Sequence, residues 1–331
     1  MGYLRLLGLL VVTSFTSNLL TGCSSDSGSG VAPASYAGIT TQASVTSENS
    51  EALTDAALDG ASGGVGSNAS ATQGQTADKK QLLGLAHSLG SAIKGMDLSN
   101  QSGSRSMGAI QSDSGSVTSP CGGTLTYSYT FDDVTGEFTI NSTFNEYVDC
   151  DDSSILSGAF KLNATGWAYD AYAQEYYYGS ATMEFTTLTY KEGSESMTMT
   201  GSIAMSMSSA TSYTMTMNFD YRDNVANETF RLENYVVTVT EDATGVNMSI
   251  VGNVYHPVHG YVSVTTLSTV RINFADGYPS AGQVDLDGAS NSKVRVTFID
   301  KDTYTLDIDS SDGGASFETT KTCTWSTDTC I

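Results

Sequence analysis

The sequence predicts an all-β body: a large antiparallel meander curled into a barrel-like roll or a sandwich, preceded by a linker region with one or two short helices. Three observations predict it. From Cys121 onward apolar residues alternate with Ser and Thr, as in Met197, Met199, Ile203, Met205 and Met207, and again in Tyr213, Met215, Met217, Phe219 and Tyr221. Short turns rich in Asp, Gly and Asn separate these runs, giving about a dozen or more strands. The residues ahead of Cys121 are dominated by Ser, Gly and Ala. Alternation buries one face and wets the other, which marks antiparallel rather than parallel pairing. A sheet this large must curl or fold over to hide its apolar face.

The chain opens with Arg5, an apolar run Leu6 to Val12, and small polar residues as far as Leu20-Thr21-Gly22-Cys23. This is the layout of a secretory signal peptide over residues 1–22. The apolar run is far shorter than the roughly 20 residues of a spanning helix. Leu20-Thr21-Gly22-Cys23 resembles the lipobox of bacterial lipoproteins, which implies diacylglyceryl transfer to the Cys23 thiol, cleavage after Gly22 and acylation (palmitate) of the new amine. Three acyl chains exceed the two-signal threshold for stable anchoring. Ser24, where Asp would resemble an inner-membrane retention signal, points to the outer membrane with the side undecided. A secreted protein whose cleavage site happens to end in cysteine is the plainer alternative.

Loss of residues 1–22 removes Arg5 alone, leaving 13 basic against 36 acidic side chains, a formal charge of −23. Such a chain repels phosphate backbones and anionic head groups, so nucleic acid is excluded as a partner. Residues 23–76 read as a flexible acidic tether by composition. Within them Val45 to Leu58 supplies a short helix, with Ser47 as cap and Ala52, Leu53, Ala56 and Ala57 on one side. Residues 77–96 form a better amphipathic helix, since Leu82, Leu85, Ala86, Leu89, Ala92, Ile93 and Met96 recur at helical spacing and need a partner surface. Residues 97–119 return to linker, and the antiparallel β domain occupies 120–331.

Setting Cys23 aside leaves Cys121, Cys150, Cys323 and Cys330, an even set in an oxidising compartment. Three connectivities exist, and locality favours Cys121 with Cys150 and Cys323 with Cys330. The first pair brackets a hairpin with Asp-Asp-Val-Thr-Gly as its turn. If Phe131 faces Phe138, Leu125 faces Phe144 and Cys121 faces Val148, so a bulge or a different turn must bring Cys150 within reach. Neither spacing is C-x-x-C, which weakens the rival zinc reading. A membrane-spanning barrel is the lesser architecture: strands such as Glu195 to Ser208 are long enough, yet aromatic girdles are lacking.

The stretches VTSENSEALTDAAL, RLENYVVTVT, GNVYHPVHGYVSVTT and YPSAGQVDLDGASNSKVRVTFID resemble segments of a group of Gram-negative bacterial lipoproteins to which no activity attaches. The resemblance implies the β-rich body and a lipid anchor. In that group the turn before the C-terminal strand resembles an Asp-Gly-Asp-Gly loop, whereas this chain departs from it and reads DIDSSDGG at Asp307 to Gly314.

Three constellations carry candidate chemistry. His256 and His259, in an H-x-x-H spacing across a Pro257-Gly260 turn, are candidate metal ligands, although a turn histidine packed on Tyr255 or Tyr261 is the blander reading. Asp307, Asp309 and Asp312 are hard oxygen donors of the kind calcium takes, without the spacing of an EF-hand loop; turn chemistry and solubility explain them equally. Trp167, Tyr169, Tyr172, Tyr176 and Tyr178 suit a sugar-stacking platform, or simply cross-strand packing. No nucleophile motif accompanies any of them. The sequence therefore favours a non-enzymatic outer-membrane lipoprotein, an envelope-structural or binding module. A carrier of a lipid or other apolar ligand on the Met-rich face Met197 to Met217, and a glycan-binding or glycan-active protein, are the alternatives.

Overall fold

A computed structural model describes residues 34–65, 110–132, 134–150, 153–170, 175–276, 278–310, 316–325 and 329–331. Among the described residues one α-helix, α1 (Ser50–Val65), precedes fifteen strands: β1 (Ile110–Thr118), β2 (Thr124–Asp132), β3 (Phe138–Val148), β4 (Ile155–Asp170), β5 (Glu175–Glu192), β6 (Glu195–Ser209), β7 (Ser212–Asp223), β8 (Glu228–Glu241), β9 (Gly245–His256), β10 (Gly260–Asn273), β11 (Pro279–Asp287), β12 (Lys293–Phe298), β13 (Thr303–Asp309), β14 (Thr319–Thr324) and β15 (Thr329–Cys330). They form a single antiparallel meander in strict chain order. The sheet is curled and does not close into a barrel.

Alternation sets which face goes in. Across β5 to β10 the inward rows read Ala181, Met205, Met215, Val237 and Ile250, then Met207, Tyr213, Val239, Met248 and Val270. All of these except Met207 are buried, and Met207 packs on the same core. The outward positions are polar, with Thr126, Ser128, Thr130, Asn141, Thr143, Asn218 and Thr238 exposed. A spanning barrel needs the reverse, an apolar band outside and a polar lumen. The hydrophobic effect here drives the sheet to wrap its own apolar face.

The curl is produced by bulges that glycines allow. Register slips between Met217 and Phe219 on β7 against β8, and between Glu233 and Val236 on β8 against β9. Gly201 on β6 (φ 132°) faces the first and Gly252 on β9 (φ 144°) faces the second; a Cβ on either would lie 2.4 Å from the carbonyl oxygen of Asn218 or Asn234. Only glycine takes both that dihedral and that approach.

The expected hairpin register holds: Phe131 pairs with Phe138 and Leu125 with Phe144. Cys121 pairs with Cys150 (Cα atoms 5.5 Å apart) and Cys323 with Cys330 (4.0 Å). The mismatch expected at Cys121 is resolved because Cys121 lies in the β1–β2 turn, where the Gly122 carbonyl accepts from Val148 N–H (3.0 Å), and because β3 slips register against β4 between Phe144 and Tyr147.

Two parts of the linker region differ from expectation. Residues 110–118, read as linker, form edge strand β1 in continuous register with β2. Its sequence IQSDSGSVT lacks apolar alternation because backbone bonds to β2, rather than a buried face, hold it. Within the segment read as tether, residues 34–59 pack on the sheet, with Ala43, Val45, Leu53, Ala56, Ala57 and Leu58 part of the core. Small residues suffice there because the segment lies close against strands. The helix starts from Thr46 rather than Ser47. Thr46 Oγ1 accepts from Glu48 and Asn49 N–H, and Asn49 Oδ1 accepts from Thr46 N–H (2.8 Å), a reciprocal cap. α1 then lies inside the curl against β8, β9, β12 and β13. Tyr235 donates its hydroxyl to the Ala57 carbonyl at 2.5 Å, and Lys321 of β14 holds Glu51 and the Ser47 carbonyl. The helix expected over 77–96 lies outside the described residues.

Candidate functional site

The most elaborate side-chain assembly is where residues 34–46 cross the sheet. Register places Thr200, Asp220, Arg231, Tyr255 and Tyr261 in one row across β6 to β10. Their strand neighbours Met199, Tyr221, Phe230 and His256 are buried inward, so the row belongs to the outer face. The N-terminal strap runs along it. Ala34 N–H donates to Thr200 Oγ1 (3.0 Å) and Tyr36 N–H to Asp220 Oδ2 (2.8 Å). The Arg231 guanidinium holds Asp220 through two hydrogen bonds (2.7 and 3.1 Å) and stands 5.1 Å over the Tyr36 ring. Tyr36 packs edge-on against Tyr255 (5.5 Å), which in turn lies 5.0 Å from Tyr261. Burial pushes the Tyr36 phenol up to about 12, with Arg231 opposing the shift. Burial likewise lifts Tyr255 to about 12, helped by its hydrogen bond to Glu233.

The strap next meets the β9–β10 turn. The one hydroxyl proton of Tyr36 is shared between the carbonyls of Ile39 (2.7 Å) and His256 (3.1 Å), and Ile39 N–H donates to that of Pro257 (3.2 Å). It continues beside β10 as a parallel bridge from Gln42 to Tyr261. There Ala43 N–H donates to the Tyr261 carbonyl (2.8 Å) and the Ala43 carbonyl accepts from Ala289 N–H (2.7 Å). The chain thus passes over the rim of the sheet and enters the curl as α1.

His256 and His259 sit in that turn, ring centroids 4.6 Å apart. The neighbours of the His256 ring are Phe230 (5.2 Å, edge-on) and His259, not Tyr255 or Tyr261, because alternation sends Tyr255 to the opposite face. Its Nδ1 accepts from Val258 N–H (3.2 Å). Burial first, and His259 second, depress it to about 4, so it is neutral at pH 7. Asp307 and Asp309 lie elsewhere, on β13. Asp307 accepts from the Thr320 hydroxyl (2.7 Å), and Asp309, buried, pairs in register with Lys293. Asp312 lies outside the described residues. Among the described residues no three His, Cys, Asp or Glu side chains converge on one point.

The other acidic turns have structural occupations. Asp300 Oδ1 accepts from Asp302 and Thr303 N–H (2.9 and 2.8 Å). Asp242 Oδ1 does the same for Thr244 and Gly245 (2.8 and 3.0 Å), and the Arg271 guanidinium bonded to it holds its carboxyl well below the usual range. Asp285, buried, takes Arg295 through two bonds (2.8 and 2.9 Å). Of the aromatic stretch, Trp167 pairs in register with Tyr178 and Tyr169 with Tyr176 across β4 and β5. Tyr178 is buried in the core; Tyr172, and the side chains of Trp167, Tyr169 and Tyr176, lie outside the described residues, as does Cys23.

Sequence reading missed Tyr36, Asp220 and Arg231. The available signal was Tyr36 with Ile39, large side chains in a segment otherwise built mostly from Ser, Ala, Gly and Thr. No family model, no curated protein and no solved structure matches the chain.

Proposed function

We propose that the chain is a lipid-anchored lipoprotein of the outer membrane, whose curled sheet is a non-enzymatic binding or structural module of the envelope. The observation that carries this reading is the junction Leu20-Thr21-Gly22-Cys23, a lipidation signal lying shortly ahead of a strap fastened to the sheet at Thr200 and Asp220. The polar outer face and apolar inner face support attachment through acyl chains rather than through strands. A non-catalytic role is supported by the work its charged groups already perform: Asp220, Asp242 and Asp285 each hold an arginine. The test is mass spectrometry of the N-terminal peptide after expression in a Gram-negative host. A peptide beginning at Cys23 with diacylglyceryl and amide-linked acyl groups is expected, lost in Cys23→Ser. A chain released unacylated into the periplasm would overturn the proposal.

One observation favours a second reading, a carrier of an apolar ligand. The inner rows of β5 to β7 carry Met183, Met205, Met215 and Met217, all buried, and methionine conforms to varied apolar shapes. Beside them the buried Tyr213 hydroxyl has no hydrogen-bond partner among the described residues, a cost a ligand acceptor would relieve. Lipid extracted from purified Cys23→Ser protein and identified by mass decides it: a stoichiometric species supports the carrier, and its lack removes it.

A further inference from the structure

The strap leaves a distinctive patch on an otherwise Ser- and Thr-rich exterior. Ile39 and Val258 are 44% and 56% exposed, and they are neighbours, because Ile39 N–H bonds the carbonyl of Pro257. Gly38 is pressed so closely on that turn that a Cβ there would lie 2.7 Å from Pro257 Cα. Tyr36, Tyr255 and Tyr261 continue the patch as a chain of touching rings, with Arg231 stacked on the first two.

We infer that this strap face, formed by Tyr36, Ile39, Val258 and Tyr261 with Arg231, rests on the surface of the bilayer that holds the Cys23 acyl chains. The inference rests on the anchor reading above. Two arguments carry it. The first is chain length: at about 3.3–3.6 Å per residue, the eleven steps from Cys23 to Ala34 reach at most about 40 Å even fully extended. Ala34 is itself bonded to the row on which the patch is built. The lipid surface is therefore within reach of this face at high effective concentration, and a weak contact suffices to hold it there. The second is chemistry. Tyrosine rings with an apolar body and a polar tip, aliphatic side chains, and the stem of an arginine whose charge Asp220 already balances are groups that settle at the membrane–water interface.

Equally apolar turn residues project from the opposite rim: Val134 in the β2–β3 turn is 73% exposed and Ile299 in the β12–β13 turn 55%. They control for hydrophobicity alone. The experiment places p-benzoylphenylalanine singly at Ile39, Val258, Val134 or Ile299 in the full acylated protein, reconstituted in phosphatidylethanolamine–phosphatidylglycerol vesicles. After irradiation, lipid adducts are counted by peptide mass. Adducts at Ile39 and Val258 at least fivefold above those at Val134 and Ile299 are expected. Equal or reversed labelling overturns the inference. The Cys23 peptide, weighed in the same digest, separates the causes of failure. An acylated Cys23 with unlabelled Ile39 and Val258 sinks only the orientation, whereas an unacylated Cys23 sinks the anchor and the orientation together.

Discussion

Replacing Gly252 by alanine tests whether the curl depends on close approach at the β8–β9 bulge. The added Cβ would stand 2.4 Å from the Asn234 carbonyl oxygen and 2.5 Å from Tyr235 Cα, and the backbone would have to keep φ 144°. Both obstacles are backbone, so neither can swing aside. The dihedral penalty for a side chain at positive φ is about 1–2 kcal/mol, and forced displacement in a packed site adds roughly 1–3 kcal/mol. The sum, about 2–5 kcal/mol, is a large share of the 5–15 kcal/mol typical of a folded protein. The control is Gly193 in the β5–β6 turn, with φ 59° and nothing within 4 Å of the added Cβ. Gly193→Ala incurs only the dihedral penalty, about 1 kcal/mol. Denaturant unfolding followed by circular dichroism measures both. The midpoint for Gly252→Ala should fall at least twice as far as that for Gly193→Ala. Equal shifts would mean that the sheet relaxes at the bulge and that the glycine does not set the curl.

Three further outcomes are expected. Removing Cys121–Cys150 as a double serine variant should cost about 3.6 kcal/mol and removing Cys323–Cys330 about 2.5 kcal/mol by loop entropy, since they close separations of 29 and 7 residues; urea titration that reversed this order would count against the entropic account. Arg295→Met strands Asp285, whose side chain is only 6% exposed and whose other cation, Lys293, is 3.9 Å away. A loss of roughly 2–3 kcal/mol is expected, most of it recovered in the Asp285→Leu/Arg295→Met double variant, and a double variant as unstable as the single one would refute this. His256 is held neutral, with its value lowered from 6.5 to about 4 by burial and then by His259. Its contribution is therefore complete above pH 6.5, is lost as pH falls toward 4, and changes no further below that. A drop of roughly 3 kcal/mol across that window should be missing from His256→Phe, and parallel pH profiles for the two proteins would dismiss the assignment.

The β2–β3 hairpin was readable to the residue. Phe131 against Phe138 follows from alternation on both sides of the Asp-Asp-Val-Thr-Gly turn, and Asp132 fixes that turn by accepting from Val134 and Thr135 N–H. The Met-rich inner rows were readable for the same reason. The α1 region was legible as a helix over Val45 to Leu58 and is found at Ser50–Val65, with the cap moved by one residue. β1 was not legible, because an edge strand held by backbone bonds needs no apolar pattern. The strap was hidden for a related reason: apart from the Tyr36 side chain, it is fastened mostly by main-chain bonds to Thr200, Asp220, Pro257 and Tyr261, and main-chain bonding leaves little trace in composition. The histidine pair was placed correctly in a turn, but its neighbours were assigned to the wrong face, an error of one residue in a period-two structure.

The route of the strap also determines how a pull from the N-terminus is borne. Strand β1 is an edge, paired only with β2, and an anchor joined directly to it would peel one strand at a time. Instead the chain is fixed to β6 at Thr200, to β7 at Asp220, to the β9–β10 turn at Pro257, to β10 at Tyr261 and to the β11–β12 turn at Ala289 before α1 begins. Force applied at Ala34 is shared across bonds that lie over several strands, and the row beneath them is stiffened by the Asp220–Arg231 pair. Behind these bonds, Val45 and Leu53 are buried in the core, so drawing the strap out would also expose apolar surface to water. Polar fastenings outside and an apolar plug inside tie the N-terminal segment into the sheet's interior rather than to its edge.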